Sequence, residues 1–325
     1  MVKIYHENDA DLSLLDGKTI AIIGYGLQGS AQAMCMKDTG VNVIIGARPN
    51  GPSWKKAREY GFEVYEIPEA SRRAEIIYLL VPDEHHEKVY KEQIEPYMEK
   101  CEVFCVSHAF SIVFGQVVPP DNVDIIMVAP KAPGKIERRL YCEGFGAPAL
   151  IAVEQDVSGK AKDIALAMCK ANGFTRAGVI ETKFYDEVTS DLFGEQAVLC
   201  GGLHELIKTG FDLLVKNGYD PVLAYFECLN ECKLIMDLIY EGGIEGMWNN
   251  VSNTAEYGGR TRGESVINKA AMEKILKDVQ SGKFAQEWIS EYKANAPSLK
   301  VQRVTGAKEQ IEIVGKEVRK LFEKK

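Results

Sequence analysis

The sequence predicts an α/β fold class: a doubly wound parallel sheet over residues 1–182, then an all-α domain over residues 183–325. Three observations carry that prediction. Short β-branched runs alternate with helix-like stretches as far as about Glu181. Strand-like runs then stop, and helical apolar periodicity dominates from about residue 186. A glycine-rich turn, GYGLQG (24–29), lies directly between the first apolar run and the first helical stretch. At 325 residues, with 46% hydrophobic and 26% charged residues, the chain suits about two soluble domains.

Taken in order, TIAIIG (19–24), VNVIIG (41–46), EIIYLLVP (75–82), VFCVSH (103–108) and DIIMVAP (124–130) are continuous apolar runs closed by Gly, Pro or a polar residue. Strands covered on both faces read this way, and parallel neighbours need a helical crossover between them. Beyond GVIETKFYDEVTSD the runs VTSDLFGEQAVL (188–199) and AYFECLNECKLI (224–235) read as helices. The charge-rich end, GAKEQIEIVGKEVRKLFEKK, reads as an amphipathic helix with a solvated face. No repeat of solenoid spacing and no low-complexity tract is present.

A net charge of −8 and a pI near 5.4 give no general attraction to polyanions, so nucleic acid and anionic membranes are not expected partners. No run approaches the roughly 18 apolar residues of a spanning helix, and the opening MVKIYHENDADLSLL lacks a basic-then-apolar signal layout. A cytoplasmic protein is expected. Eight scattered cysteines without a CxxC fit reduced thiols, mostly in apolar segments.

Gly24, Gly26 and Gly29 have GxGxxG spacing after a strand and before a helix. Such glycines allow a tight turn and let backbone N–H groups approach a pyrophosphate at the helix N-terminus, so a Rossmann-type dinucleotide site is predicted. An NAD site usually carries an acid at the end of the second strand. Here that place reads GARPNGPSWKKA, with Arg48, Ser53, Lys55 and Lys56 and no acid between Asp38 and Glu59. Cationic and hydroxyl donors suit a 2′-phosphate, so NADPH is favoured. Arg48 at the strand end is the main candidate, while Lys55 and Lys56 suit a solvated helix face.

Asp191 with Glu195 and Glu227 with Glu231 each lie four positions apart in otherwise apolar runs. On a helix each pair shares a face, where like charges repel. One reading is a half-exposed face neutralised by basic side chains, but Lys233 is the only nearby base. The other is a hard divalent cation such as Mg²⁺, which turns carboxylate repulsion into binding. Cys228 and Cys232 are offset from the glutamates by about 100° on that helix and read as packing residues. A nicotinamide cofactor beside carboxylate-held metal points to a substrate that chelates through adjacent oxygens.

GYGLQG, LLVPDE, SHAF, APKAPG, DLFGEQ, AYFECLNECKLIMDLIYEGGI and SNTAEYG occur in the order and spacing of the ketol-acid reductoisomerases, and nearly the whole chain resembles the short form of that family. The resemblance implies conversion of 2-acetolactate, or 2-aceto-2-hydroxybutyrate, to the 2,3-dihydroxy acid of valine, isoleucine and leucine biosynthesis. It implies two Mg²⁺ ions held by Asp191, Glu195, Glu227 and Glu231, the last two supplied by the partner subunit of an interlocked helical homodimer that can assemble further. Glu231 also stands among the catalytic residues with His108 and Lys131, and Ser252 contacts substrate. Tyr25, Gly26, Leu27, Gln28, Asp83, Glu84, His85, His86 and Gly134 match cofactor-contacting positions, beside Arg48 and Ser53.

Read without the resemblance, Ser252 is a loop or cap residue, His108 a satisfied strand-end group, Lys131 a loop cation, and His85 and His86 exposed residues at a helix start. The chain departs from the family pattern at Ala109, Ala132 and Asn230, and Gly51 with Pro52 replaces a cofactor-loop serine and stiffens the loop, which leaves NADH open as the alternative cofactor. Two other functions share the architecture. A metal-independent β-hydroxyacid dehydrogenase or imine reductase would need no acidic cluster, and a non-catalytic NADP(H) sensor would use its ions only to join a dimer.

Overall fold

The computed structural model describes residues 3–322, which divide into two compact units with the boundary between Val188 and Thr189. The first unit is built on one sheet of nine strands: β1 (Ile4–Tyr5), β2 (Thr19–Ile23), β3 (Asn42–Gly46), β4 (Glu63–Tyr65), β5 (Ile76–Leu79), β6 (Val103–Val106), β7 (Asp124–Pro130), β8 (Ala149–Gln155) and β9 (Val179–Glu181). Their order is β1-β9-β8-β7-β6-β5-β2-β3-β4.

All five predicted strands are present, and from β4 across to β7 every pairing is parallel. The sheet is mixed at its other edge, where β8 runs antiparallel to β7 and β1 antiparallel to β9. The helices of this unit are α1 (Leu27–Asp38), α2 (Pro52–Glu59), α3 (Ile67–Arg73), α4 (His86–Val89), α5 (Phe110–Val113), α6 (Gly134–Cys142) and α7 (Ala161–Ala171).

Every residue of β5 and β6 is buried, which is why those strands read as unbroken apolar runs rather than alternating ones. Ile22, Tyr78, Cys105, Ile126 and Val128 share one continuous core with α1 and α7. The chain winds outward through β3 and β4 on one side of β2 and through β5, β6 and β7 on the other. The order therefore reverses between β2 and β5, and ligands of such sheets bind at the carboxyl ends of the strands beside that reversal.

α8 (Phe184–Gly194) begins in the first unit and ends in the second. The second unit continues with α9 (Gly201–Lys216), α10 (Pro221–Tyr225), α11 (Glu231–Trp248), α12 (Asn253–Arg262), α13 (Lys269–Gln280), α14 (Lys283–Lys293), α15 (Pro297–Gly306) and α16 (Gln310–Arg319). Asp220 caps α10 by accepting from Val222 N and Leu223 N, and α11 is kinked at Gly243, where φ is 71°. The final helix is amphipathic as read, with Ile311 and Val318 packed against Phe211, Ala224 and Tyr225. Among the described residues no helix is long and apolar enough to cross a membrane. The cysteines are all free; Cys35, Cys101, Cys105 and Cys169 are buried, whereas Cys142 and Cys200 are exposed.

Candidate active site

The glycine turn leaves β2 at Gly24, whose φ of +102° strongly disfavours a side chain. A Cβ on Gly29 would lie 2.2 Å from the Gly24 carbonyl oxygen, so only glycine lets α1 start this close to the strand. Gly26 caps α1, and a Cβ there would meet nothing within 4 Å. The open space in front of the helix, with the first N–H groups of α1 facing it, fits a pyrophosphate.

The residues after Gly24 divide by what their side chains do. Tyr25 turns inward and packs edge-on against Phe62 at 5.7 Å, and burial raises its hydroxyl pKa to about 12. Only its backbone is left to face a cofactor. Leu27 is exposed at the first position of α1, and Gln28 Nε2 donates to the Ala132 carbonyl at 2.9 Å. That bond ties the glycine turn to the loop after β7. Gly134, the first residue of α6, is buried so close to α1 that a Cβ would sit 2.2 Å from the Leu27 carbonyl oxygen.

Beyond β3, Arg48 is exposed, with no ion pair among the described residues, and its carbonyl accepts from Gly51 N. Gly51 caps α2 with Pro52 at the first helical position. Ser53 is half-buried, and its hydroxyl lies 3.4 Å from the Tyr25 carbonyl oxygen, a weak contact that brings the two loops together. Lys55 and Lys56 are exposed, as the solvated-face reading anticipated.

Beyond the ends of β5, β6 and β7 lie three of the candidate side chains, all in one unit. Asp83 opens a single helical turn after β5, and its Oδ2 accepts from His108 Nδ1 at 2.7 Å. Lys131, just beyond β7, donates to Glu187 Oε1 at 2.8 Å, and Glu187 is buried. The sequence reading did not single out Glu187. It lies four residues before Asp191 in DEVTSD, so a third acid at helical spacing was the available signal.

Of the remaining residues, Glu84 is half-buried and His85 exposed. His86, read from sequence as an exposed helix-start residue, is buried instead: its Nε2 lies 2.8 Å from the Val81 carbonyl oxygen and its Nδ1 2.8 Å from Ser111 Oγ. Burial lowers its pKa and keeps the ring neutral.

In the second unit each acidic pair meets a π-helical turn. Residues Glu195–Leu199 join α8 to α9 in this form, with Cys200 N–H bonding to the Glu195 carbonyl, and Phe226–Asn230 join α10 to α11, with Glu231 N–H bonding to the Phe226 carbonyl. Four α-helical residues turn through about 400°, roughly 40° past alignment. The wider π turn reduces that overshoot, so Glu227 and Glu231, which span one, lie closer to a common line. Such turns recur at functional sites.

Asp191 is half-buried, whereas Glu195, Glu227 and Glu231 are exposed. The donor set suits a hard divalent ion. Among the described residues, however, no three His, Cys, Asp or Glu side chains converge on a metal position. Ser252 is exposed and its hydroxyl accepts from Ala255 N at 3.2 Å, which makes it the N-cap of α12.

Residues 14–178 match the family profile described as acetohydroxy acid isomeroreductase, NADPH-binding domain, and residues 184–324 match ketol-acid reductoisomerase, C-terminal domain. A relative from Methanocaldococcus jannaschii named ketol-acid reductoisomerase (NADP(+)) is 53% identical, over 99% of this chain and 98% of its own length. One from the uncultured archaeon GZfos26G2, named as the NAD(+) form, is 50% identical over the whole of both chains. The solved structure of an NADH-preferring ketol-acid reductoisomerase from an uncultured archaeon superposes with a TM-score of 0.95 at 50% identity, covering 99% of this chain and 100% of that one. With both domains matched in order and full-length relatives at half identity or better, the chain belongs to the ketol-acid reductoisomerase family.

Proposed function

We propose that the protein converts 2-acetolactate or 2-aceto-2-hydroxybutyrate to the corresponding 2,3-dihydroxy acid, with NADPH as the preferred reductant, in a homodimer that completes each active site. The observation that carries this reading is the gathering of Asp83, His108 and the Lys131–Glu187 pair at the ends of three adjacent parallel strands, beside the glycine turn.

Reduced nicotinamide supplies the hydride. Two Mg²⁺ ions supply Lewis acidity to the substrate's adjacent hydroxyl and carbonyl oxygens. The work of the protein is then to bind, orient and move protons. Asp191 and Glu195 from one subunit, with Glu227 and Glu231 from its partner, would hold the ions. The substrate hydroxyl gives up its proton, and the alkyl group migrates with its bonding pair to the neighbouring carbonyl carbon. The former carbonyl oxygen takes up a proton, and the new 2-keto group, once reduced by the cofactor's hydride, would take up a second proton on its oxygen. Lys131, held by buried Glu187, places a cation against the substrate oxygens, and His108 serves proton transfer near the nicotinamide. Ser252 contributes a hydroxyl to the substrate while capping its helix.

The dimer is supported by the surface of the helical unit, which exposes Leu199, Leu206, Leu234, Tyr240, Ile244 and Tyr257. Apolar area of this extent marks an interaction surface. NADPH preference rests on Arg48 and Ser53 and on the lack of an acid at the end of β3.

The test follows oxidation of NADPH and NADH with 2-acetolactate, with and without Mg²⁺. Turnover that requires Mg²⁺ and is faster with NADPH supports the reading. No turnover under any of these conditions removes it, and faster turnover with NADH reverses the cofactor preference alone.

A further inference from the structure

The loop after β5 and the loop after β6 come from adjacent parallel strands, paired at Leu79 and Val106, and side chains bind them to each other. A carboxylate only accepts, so the 2.7 Å contact between Asp83 Oδ2 and His108 Nδ1 places a proton on Nδ1. In the neutral ring the lone pair is then on Nε2. A peptide carbonyl also only accepts, so His86 Nε2 carries the proton that it gives to Val81 O at 2.8 Å, and its Nδ1 accepts from Ser111 Oγ–H at 2.8 Å. Ser111 lies on α5, three residues past His108, and both it and His86 are buried. His86 therefore fastens the loop that carries Asp83 to the helix that follows His108.

Its Nε2 also lies 3.7 Å from Asp83 Oδ1, too long for a hydrogen bond. Phe110 stacks beside the His108 ring at 6.2 Å and closes one side. Asp83, Glu84 and His108 are charged or titratable groups that act electrostatically on His86.

We infer that Asp83 is a positioning residue that fixes the orientation and Nδ1–H tautomer of His108, with His86 and Ser111 as the buried fastening that holds Asp83 in place. The role in turnover rests on the proposed part of His108 in the reaction, whereas the tautomer assignment stands independently of it. Asp83 thereby differs from a cofactor contact, the role that sequence likeness alone implies for it.

The experiment uses the full-length enzyme with ¹⁵N-labelled histidine, in the parent and in Asp83→Ala and Asp83→Asn. Imidazole ¹⁵N correlations report the tautomer, dissociation constants for NADPH and NADH report cofactor contact, and kcat with 2-acetolactate and Mg²⁺ reports function. In the parent, His108 shows the Nδ1–H form. In Asp83→Ala that form loses its dominance and kcat falls on the order of a hundredfold, while cofactor Kd stays within about twofold. Asp83→Asn, whose amide oxygen still accepts Nδ1–H, retains the tautomer and part of the rate. An Nε2–H form in the parent overturns the inference, as does an Asp83→Ala enzyme that keeps the tautomer and loses cofactor affinity about tenfold. His86→Gln, which loosens the fastening without touching Asp83, gives an independent check: a His108 tautomer mixture supports the inference and an unchanged spectrum overturns the fastening. Because the spectra need no turnover, a parent without activity would sink the proposed function and leave the tautomer result readable.

Discussion

The sheet unit and the helical unit treat burial differently. In the first, strands β5 and β6 are buried along their whole length and one core runs from Tyr5 to Val179. In the second, one buried cluster among the described residues is Phe211, Ala224, Tyr225, Ile311 and Val318, while large apolar side chains such as Tyr240, at 92% exposure, lie on the surface. The functional groups follow the same division. Asp83 bonds to His108 and Lys131 to Glu187 within one unit, whereas the acidic pairs at the two π turns form no closed metal position among the described residues of one chain. A sheet covered on both faces satisfies its own backbone and side chains; helices with apolar stripes on several faces need further surface to cover them.

The largest expected effect sharpens that contrast. Glu231→Gln removes a carboxylate charge from the helical unit, so kcat falls on the order of a thousandfold and Mn²⁺ binding, followed by electron paramagnetic resonance, weakens in parallel. NADPH affinity stays unchanged, since the nucleotide site belongs to the other unit. A matching loss of cofactor affinity would break the separation.

Leu234→Asp attacks the exposed stripe directly. Sedimentation is expected to show monomer in place of dimer, with activity reduced on the order of a hundredfold and cofactor affinity retained. A monomer with parental activity would show that one chain holds a complete site.

Arg48→Ala acts only in the sheet unit. Its kcat/KM with NADPH should fall about tenfold while the value with NADH holds. An NADPH preference that survives the change removes Arg48 from 2′-phosphate recognition.

The smallest effect on rate comes from Glu137, in the first turn of α6. It is buried, neither carboxylate oxygen has a hydrogen-bond partner among the described residues, and burial raises its pKa from 4.5 to about 8. A carboxyl with a raised folded-state pKa holds its proton longer in the native state than in the unfolded one. This group's contribution to stability is therefore greatest below pH 4.5, declines as pH rises through the window to about 8, and is constant beyond it. Glu137→Gln should leave turnover unchanged and remove that decline, so the stability difference from the parent grows with pH by an amount on the order of a few kcal/mol. A difference independent of pH would show that Glu137 titrates alike in the folded and unfolded protein.

The same division shows in how far the sequence could be read. The five long apolar runs became β2, β3, β5, β6 and β7 because a strand covered on both faces needs nothing from its neighbours to be recognised. The short edge strands β1 and β4 and the short inner strand β9 were missed, since two or three residues cannot display a period. β8, ALIAVEQ, was missed because its alanines weaken the β-branched signal and it runs against β7. Tyr25 and Gln28 share a motif, yet one side chain packs on Phe62 and the other reaches Ala132.

By itself the sequence determined the order of elements, the glycine turn and the four-residue spacing of the acidic pairs, because each depends on residues adjacent along the chain. Only the tertiary structure decided that Asp83 faces His108, 25 residues away, that Lys131 meets Glu187 across 56, and that His86 is buried rather than exposed. Those pairings depend on which strand lies beside which, and strand order is settled by the packing of the whole sheet rather than by any local run of residues.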